Sequence, residues 1–142
     1  MSETLLKLVL DTATIVSAFF WEGNEAVLFK KIEQGKARLS ITQEILDEIY
    51  DVVKRPKFNQ VMCNAGLTSE RIIEKIISVS ELIVSPDLHV DVCRDEKDNK
   101  FLECAENSKA DYIISGDEDL LSLKRHKNIP IVRSSEILKF LL

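Results

Sequence analysis

Short runs of aliphatic and β-branched residues alternate with longer amphipathic stretches along the whole of this chain, the pattern of a parallel sheet flanked by helices. The runs at 5–10, 37–41, 112–115 and 130–133 read as strands. The segments at 25–34, 43–54, 69–81, 100–108, 118–123 and 135–142 carry helical periodicity. The expected fold is α/β: a single domain over residues 1–142, with a central, mostly parallel sheet of about four to five strands and helices on both faces. No repeat, low-complexity tract or Pro/Gly-rich linker divides the chain, and the marked breaks fall at Arg55-Pro56, at Ser85-Pro86 and in an acidic loop at 91–98.

With 142 residues, 45% of them hydrophobic and 30% charged, the chain has the length and composition of one water-soluble domain with a real core. The apolar stretches at 15–21 and 82–84 fall well short of the roughly 20 residues a membrane span needs, so no membrane association is expected. The amino end carries an acid early and no long apolar run, which does not read as a secretory signal, and a cytoplasmic location is expected. Cys63, Cys93 and Cys104 are widely spaced, with no C-x-x-C pair. They suggest neither a disulfide framework nor a zinc site and are expected to be reduced and structural.

A net charge of −5 argues against broad attraction to nucleic acid, so any such contact must use local basic groups. Two small clusters qualify: Lys54, Arg55 and Lys57, and Lys124, Arg125 and Lys127. The competing reading is that basic residues after a helix end solvate it and complement its dipole.

Because parallel strands are joined by right-handed crossovers, their carboxyl ends share one sheet edge, where such folds place their ligands. Asp11 directly follows the strand residues Leu8, Val9 and Leu10. Asp117 follows Tyr112-Ile113-Ile114-Ser115 by way of Gly116, so two acids meet at that edge. Asp119, two residues on, is expected in the first turn of the next helix, within reach of the same pocket. Asp98 precedes the helical stretch beginning Asn99-Lys100-Phe101, where the competing reading is an N-cap. On the helix at 43–54, Glu48 lies about 100° from the centre of the apolar stripe, whereas Glu44, Asp47 and Asp51 lie about 140° to 160° away, at about 100° per residue. Glu48 is therefore the acid nearest the buried face, although a border glutamate can simply be solvated with its stem packed.

Carboxylates gathered this closely repel one another unless they share a cation. Oxygen ligands without His or Cys select the hard ions Mg²⁺ or Mn²⁺ over zinc. His89 and His126 lie outside every motif and read as ordinary histidines, which disfavours a metal-free ribonuclease built on paired histidines. In the segment 69–81, Ile72, Ile73, Ile76 and Ile77 form an apolar face broad enough to serve both the core and self-association.

Five stretches occur in order: Val9-Leu10-Asp11-Thr12-Ala13-Thr14-Ile15-Val16-Ser17-Ala18, then Ile41-Thr42-Gln43-Glu44-Ile45-Leu46-Asp47-Glu48-Ile49, then Lys54-Arg55-Pro56-Lys57-Phe58, then Arg94-Asp95-Glu96-Lys97-Asp98-Asn99-Lys100-Phe101-Leu102-Glu103-Cys104-Ala105, and finally Ala110-Asp111-Tyr112-Ile113-Ile114-Ser115-Gly116-Asp117-Glu118-Asp119-Leu120-Leu121. Together they resemble the PIN domain family, in particular its toxin branch, similar to VapC-like ribonucleases of toxin-antitoxin systems. The resemblance implies catalytic acids at Asp11, Glu48, Asp98 and Asp117, with Asp119 as a further metal-side acid and with Thr12 and Ser115 as supporting hydroxyls. It implies a Mg²⁺- or Mn²⁺-dependent endoribonuclease that leaves a 5′-phosphate and a 3′-hydroxyl, with RNA as substrate, a small antitoxin as partner and a homodimer or higher homo-oligomer as the assembly. Ala13 departs from the pattern, standing where the family very often has Asn, which puts the orientation of substrate or of Asp11 in question.

Two other readings remain open. Haloacid-dehalogenase-type phosphatases also begin with an Asp after the first strand, but they need a second Asp where this chain has Ala13. A PIN-like fold could also serve as a non-catalytic protein-binding module, its acids remaining only as helix caps.

Overall fold

The computed structural model describes residues 5–84, 93 and 95–141. His89, the Ser85-Pro86 break and residues 91, 92 and 94 of the acidic loop lie outside these residues. In chain order the elements are β1 (Lys7–Leu10), α1 (Thr12–Phe20), α2 (Asn24–Glu33), β2 (Arg38–Ile41), α3 (Gln43–Val53), α4 (Asn59–Ala65), α5 (Ser69–Val79), β3 (Ser80–Leu82), α6 (Asn99–Ser108), β4 (Tyr112–Ile114), α7 (Glu118–Leu121), β5 (Arg125–His126), β6 (Ile129–Val132) and α8 (Ser134–Ile137). Short 3₁₀ turns at Pro56–Phe58, Glu96–Asp98 and Leu138–Phe140 complete them.

Among the described residues the strands form one six-stranded sheet in the order β3-β2-β1-β4-β6-β5. All pairings are parallel except the β5–β6 hairpin. Leu8, Val9 and Leu10 are consecutive, point alternately to opposite faces and are all buried, so both faces of β1 are covered. Helix α6 packs along β1, β2 and β4 and buries Phe101, Leu102, Cys104 and Ala105. Helix α3 buries Ile45, Leu46, Ile49 and Val53, a stripe at the 3–4 residue spacing of a helix face.

From β1 the chain steps outward to β2 and β3, then returns to the other side of β1 as β4 and continues to β6. The order reverses between β1 and β4, and in open α/β sheets the crevice beyond the carboxyl ends at such a point is where ligands bind. The backbone pairing there runs past the formal strand ends, with Asp11 N donating to Ile114 O at 3.1 Å and Ser115 N to Val132 O at 3.0 Å.

The sheet has more strands than the periodicity predicts, for identifiable reasons. The helix expected over 69–81 ends at Val79, and Ser80–Leu82 turns extended to pair with β2 as an edge strand. Three residues are too few for a period-2 signal to stand out from a helix end. Residues 125–126 pair only through a tight hairpin whose Lys127 and Asn128 both take positive φ, a two-residue turn without the usual Gly signal. Helix α1 lies in a stretch rich in β-branched residues and was not expected to be helical. Asp11 starts it by accepting from Thr14 N. The helix expected over 135–142 is a single turn at Ser134–Ile137, followed by a 3₁₀ turn.

Candidate active site

Asp11, Asp98 and Asp117 come from three separate stretches of chain and line one cleft of about 420 Å³ at the β1/β4 crevice, with Thr12, Ala13 and Glu48 beside them. Asp11 is placed by β1, whose last residue Leu10 is in register with Ile114 of β4. Asp117 stands three residues beyond that same Ile114.

Asp11 is 4% exposed. Its Oδ1 accepts from Thr14 N at 2.9 Å and its Oδ2 from the Ser115 hydroxyl at 2.5 Å. The Ser115 hydroxyl in turn accepts from Asp117 N at 2.9 Å, so one buried side chain ties both acid-bearing loops together. Burial pushes the Asp11 carboxyl above the ordinary carboxylate range. The hydrogen bonds from Ser115 and Thr14 oppose that rise, and the nearby Asp117 charge adds to it.

Asp98 closes the 3₁₀ turn that leads into α6, but its side chain makes no capping hydrogen bond. The N-cap reading therefore does not account for it. Burial, then the charge of Asp117 and a hydrogen-bond contact with that carboxyl, push Asp98 up to about 6. Asp117 does double duty, accepting from Asp119 N at 3.2 Å as the N-cap of α7. Asp119 is exposed and is not among the residues lining the cleft.

Glu48 is held from two sides. Its Oε1 accepts from the Thr12 hydroxyl, and its Oε2 lies 2.7 Å from the Lys100 Nζ, with only 8% of the lysine side chain exposed. Lys100 is the group that sequence reasoning missed. No local sequence pattern marks it; only the fold shows Asn99, Lys100, Phe101 and Leu102 buried in succession, which takes this lysine off the solvated face. A lysine this buried is normally paired with an acid.

The basic candidates divide. Arg55 and Lys57 line the acid cleft, whereas Lys54 lies over the Tyr50 ring, 4.6 Å from its centre. Lys124 and Arg125 are exposed at the β5 edge hairpin, two strands away from β4. His126 is buried, with Nε2 2.9 Å from Glu106 Oε2, which gives it a structural partner. Cys93 lies near the acids, and burial followed by the charges of Asp98, Asp117 and Asp95 pushes its thiol up to about 11, so it stays protonated.

Among the described residues, no three His, Cys, Asp or Glu side chains close into a ready metal cage. The donor set is nonetheless the one hard divalent ions take: carboxylate oxygens from Asp11, Asp98 and Asp117, of which Asp11 and Asp98 are raised by burial first and by the neighbouring Asp117 charge in addition. A divalent ion shared between the Asp98 and Asp117 carboxyls would relieve the repulsion that, after burial, raises Asp98.

Comparison with known proteins reaches the same stretch of chain. A family model described as "PIN domain" matches residues 7–119, from the start of β1 to Asp119, whose amide donates to Asp117. Over 125 residues the chain is 35% identical to a protein of Methanocaldococcus jannaschii carrying the name "Uncharacterized protein MJ1680", an alignment that spans 87% of this chain and 79% of that one.

Proposed function

This chain belongs to the PIN domain family, and from that premise we propose that it is a Mg²⁺- or Mn²⁺-dependent endoribonuclease that hydrolyses RNA phosphodiester bonds. PIN domains are generally metal-dependent nucleases that bind nucleic acid, so nuclease-type function follows from the family, and the metal, the substrate and the residue roles are the proposal. The observation that carries it is the meeting of Asp11, Asp98 and Asp117 in one cleft at the point where the strand order reverses.

In this reading Asp11, Asp98 and Asp117 hold the ion. When bound, it neutralises charge on the scissile phosphate and activates the attacking water. Ser115 fixes Asp11 through its hydroxyl and steadies Asp117 through the amide it accepts from. Thr12 and Lys100 keep Glu48 aimed along the cleft rather than out to solvent. Asp119 acts through Asp117, to which its amide donates, and not as a direct ligand. Arg55 and Lys57 supply local positive charge for the RNA backbone, which a chain of net charge −5 lacks overall.

We further propose that the protein is the cytoplasmic toxin of a toxin-antitoxin pair, held by a small antitoxin and self-associated. Support comes from the toxin-type motif order and from the α5 face, where Ile72 and Ile76 are buried but Ile77 is 53% exposed. Incubating a mixed RNA pool with the protein in Mn²⁺ or in chelator tests the enzymatic reading. Cleavage by wild type that disappears in Asp98→Asn supports it, whereas intact RNA in every lane favours a protein-binding module.

A further inference from the structure

Trp21 is the chain's sole tryptophan, and it is 57% exposed. It lines the same cleft as the three acids. An exposed indole of this size is apolar area that folding usually covers. The ring is braced, however. Phe20 meets it at 5.9 Å and 83°, Phe58 meets it at 6.2 Å and 71°, and Phe20 and Phe58 are themselves stacked at 4.8 Å. Its backbone is fixed by the bond from Trp21 N to Ser17 O at 3.0 Å. The indole is thus held but not covered.

Charge accompanies it. Arg55 and Lys57 line the cleft next to this aromatic group, with the Lys57 ammonium 5.1 Å from the centre of the Phe58 ring. Asp11 caps one end of α1 and Trp21 the other, so the ten residue steps between them set their backbones about 15 Å apart at the ordinary helical rise. A cation pair beside an open aromatic face is the composition of a site that grips a single strand, with phosphate on the cations and a base on the ring.

We infer that Trp21, backed by Phe58 and flanked by Arg55 and Lys57, is a stacking subsite for one unpaired base of an RNA strand, a few nucleotides from the bond lying over the acids. The inference rests on the nuclease reading for the identity of the strand, and the subsite requires that the base it takes be unpaired. A base inside a duplex has its faces covered by its neighbours and cannot lie on the indole. Stacking accepts any base, so the subsite supplies affinity and register rather than sequence choice.

With one tryptophan, the native protein reports on its own subsite. In chelator, which leaves RNA intact, wild type is titrated with a single-stranded RNA of about 12 nucleotides or with the same sequence as a duplex, and indole fluorescence is followed together with anisotropy of labelled RNA. Saturable quenching by the single strand and little by the duplex is expected. Trp21→Ala should weaken binding about five- to hundredfold and Trp21→Phe less, while Arg55→Gln and Lys57→Gln should each lower the salt slope by about one. Unchanged affinity in Trp21→Ala, or equal quenching by the duplex, would overturn the subsite. If quenching persists while no RNA is cut in Mn²⁺, the nuclease reading fails and the stacking subsite stands. Cleavage that proceeds with no effect of Trp21→Ala on binding sinks the subsite alone.

Discussion

The Lys100 ammonium on α6 lies 2.7 Å from the Glu48 carboxylate on α3, with 8% of the lysine side chain and 27% of the glutamate side chain exposed. A fixed positive charge on α6 therefore stands behind the Glu48 wall of the acid cleft, outside the cleft's own lining. It neutralises the glutamate and leaves the three aspartates to repel one another.

Removing that charge exposes its contribution. In metal-free protein, Lys100→Met should cost about 1–3 kcal/mol, somewhat less than a fully buried pair because Glu48 is partly solvated. The double variant Glu48→Gln with Lys100→Met should recover most of the loss, since no uncompensated charge remains. Urea denaturation measures both, and strictly additive losses would mean the two side chains are not coupled.

Proton binding at the acids gives a pH signature. Asp98 is raised to about 6 by burial and by Asp117, so between pH 4 and pH 6 the folded protein binds more protons than the unfolded chain. Stability of metal-free protein should therefore fall as pH rises through that window and rise again on acidification. Asp11 is raised as well and contributes with the same sign. Melting temperature against pH, compared with Asp98→Asn, checks this, and an unchanged slope in the variant would assign the effect elsewhere. Mn²⁺ affinity should show the opposite trend, strengthening up to about pH 6 because protonated Asp98 is no ligand.

Asp117→Asn separates stability from function. Asparagine can still cap α7, while the charge that adds to the effect of burial on Asp98 is gone. The variant is expected to be at least as stable as wild type without metal, yet to lose RNA cleavage by about a hundredfold or more. A thermal melt and a cleavage time course decide it together. Retained activity would remove Asp117 from the catalytic group.

Ser115→Ala deletes the hydroxyl that donates to Asp11 and accepts from Asp117 N. Leaving those buried groups short of a partner should cost about 1–3 kcal/mol and reduce cleavage, with Mn²⁺ affinity falling because Asp11 loses its orientation. Calorimetric Mn²⁺ titration of the variant tests this, and wild-type affinity would mean the serine only packs.

Much of this architecture was legible in the sequence because hydrophobic period and strand-end acids are strong local signals. Leu8 to Leu10 read as a buried strand, and Asp11 and Asp117 followed from the rule that parallel strands share a carboxyl edge. Weaker signals failed where tertiary contact decides. Ser80–Leu82 becomes a strand only because β2 offers an edge. Asp98, taken alone, read more readily as a cap, but the geometry shows no capping bond. Lys100 was invisible because the pairing that explains its burial comes from Glu48, far away in sequence. Trp21 was read only as part of an apolar run, since exposure belongs to the fold and not to composition.

Calorimetric titration of Mn²⁺ into wild type and into the Asp11→Asn, Asp117→Asn double variant addresses the divalent ion directly. Saturable binding to wild type that vanishes in the double variant, alongside Mn²⁺-dependent cutting of RNA by wild type alone, is the predicted result. Equal binding to both proteins would contradict it, because the ion would then sit elsewhere than between these carboxylates.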